Sequence, residues 1–222
     1  MKKLIITLSL ILSLFVASTA MASPLTNYKP GSFAVGLDMQ YSKLKGDASN
    51  GSTSFDRNWN FSYDAEVGIA PKFALQINGM NPKSDSTGGN HAKLKLQNFE
   101  IKGKYKLFDN FNTFVSAYAG LAKNKLKYNE ANYSFSSSSK TSPVIGLTGV
   151  VKLKPTDLKL YVDVGIGTKT TSWDIGVSYS ILRNVELDFG YKWYEARDLK
   201  TPIGKIDTTN KGLYIGATVK FN

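Results

Sequence analysis

From Phe33 to Phe221 the chain alternates apolar and polar residues with a period of two, segment after segment. That period puts successive side chains on opposite faces of a β-strand. No stretch follows the 3.6-residue period of an amphipathic helix. The first run sets Phe33, Val35, Leu37, Met39 and Tyr41 against Ala34, Gly36, Asp38 and Gln40. The second sets Trp59, Phe61, Tyr63, Ala65, Val67 and Ile69 against Asn58, Asn60, Ser62, Asp64, Glu66 and Gly68. Further strands are predicted at about 73–77, 99–107, 113–123, 145–153, 158–166, 173–181, 185–193 and 213–221. Leu94 and Leu96 fall out of phase with Phe99, which predicts a bulge near Gln97 and Asn98. Ala117, Ala119 and Gly120 leave the facing of the 113–123 strand undecided.

The connections alternate in length. Those at 71–72, 109–112, 155–157 and 183–184 are short. Those at about 45–56, 82–91, 124–140 and 198–210 are longer and rich in Ser, Gly, Asn and Lys; the one near 169–172 is brief. Ser136 to Ser139 reads as the tip of a surface loop. Short turns at one end and long loops at the other predict an all-β fold. Its form is an antiparallel up-and-down transmembrane β-barrel of about ten strands, eight being the alternative.

Alternation alone does not say which face meets solvent. Three features turn the apolar face outward, toward lipid. Ten inward rows of Phe, Trp, Tyr and Leu would overfill a small barrel. The other face mixes glycines with charges of both signs, and buried charges require partners. These form a candidate lumen network of Asp38, Asp64, Glu66, Glu100, Lys102, Lys104, Lys152, Lys159, Asp163, Asp174, Glu186, Asp188, Lys192 and Lys220. Aromatics gather at strand ends: Trp59, Phe61, Phe73, Phe108, Phe111, Trp173, Trp193 and Phe221. Such rings favour the headgroup level at both membrane interfaces.

Residues 1–22 read differently. Lys2 and Lys3 precede an apolar run from Leu4 to Val16, and Ala20-Met21-Ala22 fits a small-x-small cleavage site. The run is shorter than the ~20 apolar residues of a membrane-spanning helix, so it predicts a cleaved signal peptide. The expected organisation is then 1–22 removed, 23–30 a short periplasmic lead-in, and 31–222 the barrel. With no cysteine, neither disulfides nor a lipoprotein anchor is expected. The net charge of +11 falls to about +9 when Lys2 and Lys3 are subtracted. The excess is spread along the chain, and no basic block of the kind that binds nucleic acid is present.

The last strand carries the most specific motif. Tyr214-x-Gly216-x-x-Val219-x-Phe221 resembles the C-terminal assembly signal of bacterial outer-membrane barrels, although Asn222 follows the aromatic. Leu187-Asp188-Phe189-Gly190-Tyr191-Lys192-Trp193 is similar to the penultimate strand of small OmpA/OmpX-like barrels. The resemblance implies the outer membrane, lipid and lipopolysaccharide as surroundings, and the barrel-assembly machinery as a partner during insertion. It does not imply an activity.

Chemistry is sparsely supported. Enzymatic barrels of this kind, the lipid A-modifying enzymes and omptin proteases, use His with Ser, Asp or Glu at the outer rim. The chain has one histidine, His91, flanked by Gly88-Gly89-Asn90 and Ala92-Lys93. No Asp-x-His or His-x-Ser pattern surrounds it, so no catalytic, cofactor or metal residue is assigned. Lysines concentrate toward the long-loop end. Lys123, Lys125 and Lys127 are candidate contacts for lipopolysaccharide phosphates. The expected function is a non-enzymatic structural or surface-interaction barrel, the alternative being a narrow porin. A lipid A-modifying or omptin-like enzyme ranks third.

Overall fold

The computed structural model describes residues 23–48, 51–86, 92–130 and 133–221. Residues 1–22, His91 and Asn222 lie outside it. Ten long strands make up the fold: β1 (Phe33–Ala48), β2 (Gly51–Ala70), β3 (Phe73–Met80), β5 (Lys93–Asp109), β6 (Thr113–Glu130), β8 (Lys140–Leu153), β9 (Leu158–Gly167), β10 (Thr170–Leu182), β11 (Val185–Thr201) and β12 (Gly204–Phe221). Two short strands, β4 (Lys83–Asp85) and β7 (Tyr133–Ser136), add to β5 and β6 at one end. Each long strand pairs antiparallel with the next long one, and β1 pairs with β12. The ring therefore closes with ten strands and leaves no edge around its waist. Ala34 opposite Lys220 and Glu66 shows how the first and last strands share one wall.

The apolar face points outward. Ile145, Leu147, Ile175 and Phe189 are each more than half exposed, while Lys102 and Lys104 are 2% and 1% exposed. Aromatic pairs mark two levels on the outer wall. Phe33 stacks on Phe221 at 4.3 Å and Phe73 meets Tyr105 at 4.9 Å near the short turns. Tyr41 meets Trp59 at 5.2 Å and Trp173 stacks on Tyr191 at 5.3 Å toward the other end. Phe33 and Tyr41 lie on one strand. Their separation, at ~3.3 Å per residue and ~40° of tilt, spans about 20 Å of the membrane normal, close to the apolar height of such barrels.

Two expectations change. The long connections prove to be mostly strand: β1 runs to Ala48, β6 to Glu130 and β12 begins at Gly204. Above the membrane both faces of a sheet can be solvated, so the ladder persists without an apolar stripe to reveal it. Ser136 to Ser139 is likewise tied down, since Ser137 N donates to Leu126 O at 2.8 Å and Leu126 N to Ser137 Oγ at 2.8 Å.

The bulge near Gln97 and Asn98 is absent. β5 stays in register with β6 from Lys93 to Lys106, and the shift falls between Lys106 and Phe108. Leu94 and Leu96 share the inward face with Asn98, Glu100, Lys102 and Lys104. Their polarity changes because the lumen itself turns apolar at that height. The facing of β6 is also decided: Phe114, Ser116, Tyr118, Ala122, Asn124 and Leu126 point inward.

Candidate functional site: a filled lumen

The interior is built from the polar phase of the ten strands, in three levels. At the short-turn end the segment 23–30 folds into the barrel mouth. Leu25 and Tyr28 are buried there, and Tyr28 meets Phe114 edge-on at 5.3 Å. Leu25 N donates to Glu66 Oε2 at 3.3 Å. Gly68 N donates to Ser32 O at 2.8 Å, and Gly31 N to Gly68 O at 3.2 Å. A Cβ on Gly68 would lie 2.4 Å from Lys29 O, so only glycine lets the segment cross β2 this closely. Beside it Lys104 Nζ sits 3.1 Å from both carboxylate oxygens of Glu66. Lys220 Nζ reaches Glu186 at 2.9 Å, and Lys159 pairs with the same carboxylate.

The middle level is a mesh of carboxylates, lysines and tyrosines. Lys192 lies 3.5 Å from Asp38 and 3.8 Å from Asp174. Tyr214 Oη donates to Asp174 at 2.7 Å, and Tyr161 and Tyr214 share a hydrogen bond. Lys102 pairs with Glu100 at 2.9 Å, and its Nζ lies 4.6 Å from the Tyr118 ring centre. Asp163 accepts from Tyr118 Oη at 3.0 Å and from Thr148 Oγ1 at 2.6 Å. Gln76 donates to Asp64 at 2.8 Å. Lys102, Lys192, Asp163 and Asp174 thus each have more than one partner, as burial in low dielectric requires. The free space beside Glu100, Lys102, Asp163, Asp174 and Lys192 is about 20 Å³, room for on the order of one water.

Above this, Asn98 donates to Asn124 at 3.1 Å and to Tyr194 Oη at 2.5 Å, while Tyr194 donates to Asn124 at 2.8 Å. The lumen then turns apolar. Leu44, Phe55, Met80, Leu94, Leu96, Leu126, Leu199 and Ile206 pack into one cluster across its upper part.

Of the fourteen charged residues expected in the lumen, twelve are buried. Lys159 is half-buried beside Glu186, and Lys152 is half-buried opposite Lys159. Lys152 has no carboxylate within 4.0 Å among the described residues. Sequence reasoning missed the lumen tyrosines Tyr118, Tyr161, Tyr194 and Tyr214. Their signal was phase: each occupies the polar register of its strand. The plugging segment and the apolar cluster carried no such signal.

The C-terminal motif residues divide between faces. Tyr214 points inward, and Phe221 lies outside against Phe33. Val219 pairs with Val35 and Val185. A Cβ on Gly216 would fall 1.9 Å from Asp38 Oδ1, so this glycine makes room for that carboxylate.

The outer rim is basic and aromatic. Tyr128, Tyr133 and Phe135 cluster on the β6–β7 hairpin, with Tyr128 and Phe135 stacked at 5.1 Å. A hydrogen bond from Lys45 holds the Asp47 carboxyl below the usual carboxylate range, and one from Lys169 does the same for Asp198. Lys123, Lys125 and Lys127 face outward on β6. Lys83, Lys95 and Lys127 stand directly opposite one another across β4, β5 and β6. None of these five lysines has a carboxylate within 4.0 Å among the described residues. Lys123 pairs with Phe99, the last outward aromatic below them on β5.

An apolar outer wall between aromatic levels and an ionic interior define an integral membrane β-barrel. No described helix is long and apolar enough to cross a membrane; the strands do so. The chain belongs to the outer membrane protein beta-barrel domain family, whose model matches residues 9–221. It is an outer-membrane protein. Among solved structures it is similar to the outer membrane protease OmpT from Escherichia coli, at 12% identity and TM-score 0.63, covering 90% of this chain and 99% of that one. Neisserial surface protein A aligns at 19% identity and TM-score 0.48 over 86% and 99%. OprG from Pseudomonas aeruginosa aligns at 14% and 0.42 over 90% and 100%. At these identities the likeness to OmpT concerns the fold alone. No curated protein matches the chain.

Proposed function

We propose that this barrel is a sealed, non-enzymatic outer-membrane protein that presents its outer hairpins as an interaction surface. The observation that carries this reading is the filled lumen: a folded segment at one mouth, a paired ionic middle and an apolar upper cluster. A solute pore needs a continuous aqueous path, and the space of about 20 Å³ amid the ionic layer falls far short of one. Purified protein in planar bilayers is expected to give no steady ion current. A reproducible ohmic conductance from pure protein would instead establish the porin reading.

The non-enzymatic part rests on the sequence around His91, which offers no base or nucleophile pattern. An activity on lipid A or peptide that disappears in His91→Ala would reverse it.

The rim lysines support lipopolysaccharide as the lipid partner. Like charges directly opposite on neighbouring strands repel, and no lysine of the Lys83–Lys95–Lys127 row has a carboxylate within 4.0 Å among the described residues, the nearby Asp85 pairing with Lys93. Phosphates at the headgroup level would supply the missing anions. Replacing Lys123, Lys125 and Lys127 with serine is expected to weaken lipid A binding about tenfold at low salt, with a flatter salt dependence. Unchanged binding would remove lipopolysaccharide phosphates as partners. The barrel-assembly machinery, reading the Tyr214–Phe221 strand, remains the proposed partner during insertion.

A further inference from the structure

We infer that the barrel floor is a binding site for a primary ammonium: the α-amino group of the chain's own Ser23, released by cleavage after Ala22.

Ser23 is 1% exposed, and its nitrogen donates to Thr218 Oγ1 at 2.8 Å. Thr218 Oγ1 in turn donates to Asp188 Oδ2 at 2.5 Å. Ser178 donates to the other oxygen of Asp188, also at 2.5 Å. Asp188 is therefore a buried carboxylate served by two hydroxyls, with no lysine within 4.0 Å among the described residues. Lys220, on the same strand as Thr218, is committed elsewhere. It reaches Glu186 at 2.9 Å, and Ser23 Oγ and Pro24 O at 3.1 Å each.

The charge balance points the same way. Eight carboxylates are buried in the lumen, against four buried lysines and the half-buried Lys152 and Lys159. A buried carboxylate without a counter-charge is strongly disfavoured. An amide nitrogen at Ser23 offers one proton and no charge. Hydrolysis breaks the Ala22–Ser23 peptide bond, water giving its hydroxyl to the departing Ala22 carboxyl and a proton to the nitrogen. The amine takes up one more proton and becomes an ammonium with three donors, 2.8 Å from the hydroxyl that already bonds Asp188. One proton can stay on Thr218, which leaves two for the carboxylates of the floor. Removal of residues 1–22 then does more than free the protein from its leader. It creates the cation that locks segment 23–30 into the mouth, so the plug is held more firmly on the processed chain.

The site is tested on protein expressed from the full reading frame and purified from outer membranes in detergent. The N-terminal peptide is read by mass spectrometry after limited acylation near pH 7, where an unperturbed α-amine of pKa about 8 reacts ahead of lysine. The expected peptide begins at Ser23 and is acylated at least about tenfold more slowly in the folded barrel than after heat unfolding. A mature chain beginning elsewhere, or equal rates in the two states, overturns the inference. A second arm inserts Gly-Ser between Ala22 and Ser23, moving the amine away from Thr218. The heat-modifiable gel transition of this variant is expected to fall by about 5 °C. On an Asp188→Asn background the same insertion should lower it no further, because the charge it would separate is gone. Equal losses in both backgrounds would show that the segment merely packs there, and the ammonium site would be withdrawn. If the insertion prevents assembly, the acylation ratio on the natural chain still decides the matter.

Discussion

Replacing Lys104 with methionine is expected to destabilise the folded barrel by about 3–5 kcal/mol, the range for stranding one partner of a buried ion pair. Glu66 would lose its counter-ion in a setting where both groups are almost wholly buried. Leu25 N donates to it from 3.3 Å, a long bond from a neutral amide that cannot replace the ammonium. The loss should appear as a lower urea midpoint for unfolding from phosphatidylcholine vesicles. The double variant Lys104→Met with Glu66→Leu should recover most of it, because packed apolar groups replace buried ions at little net cost. If the single variant alone unfolds at the parent midpoint, the pair is not buried and the lumen is wetter than described.

The second large effect is on the opposite face. Leu147 sits midway along β8, opposite Ala117 and Val164, and is 54% exposed. An arginine there should cost about 2–4 kcal/mol in vesicles, the depth-dependent price of a charge on the lipid side of a barrel. On a soluble barrel an exposed leucine could become arginine within about 0.5 kcal/mol. The two outcomes are far enough apart for a single urea titration to separate them. The pair of predictions also opposes the two faces: removing a charge destabilises the inside, and adding one destabilises the outside.

Much of this architecture is visible in the one-dimensional pattern. Alternation is a local property, because the strand geometry sends neighbours to opposite faces wherever the strand lies in the barrel. Phe33 to Tyr41 and Trp59 to Ile69 are therefore legible as outer wall without knowing their neighbours. Asp38, Asp64 and Glu66 are legible as inner wall by the same rule. The presence of both signs among the inner residues indicates a closed ionic interior, since unpaired charges could not be kept there.

The pattern failed where facing and polarity separate. Leu94 and Leu96 continue the inward phase of Glu100 and Lys102, yet they are apolar, and read alone they imitate a register slip. The β5–β6 pairing sets Leu96 opposite Leu126, and only ring closure brings them against Leu44 and Leu199 from other strands. The strands above the membrane were read as loops for a related reason: solvent on both sides removes the alternation but leaves the hydrogen bonds. Segment 23–30 has no period at all, and its place depends on a hole that exists once β12 meets β1.

The sequence by itself determined the strands, their even number, the outward apolar face and the membrane such a face requires, because each follows from polarity at a period of two. Tertiary structure alone decided which carboxylate meets which lysine, where the lumen turns apolar, and that the first residues after Ala22 enter the barrel mouth. Those contacts join residues as distant as Ser23 and Thr218. Closing the cylinder sets such distances, and no local pattern encodes them.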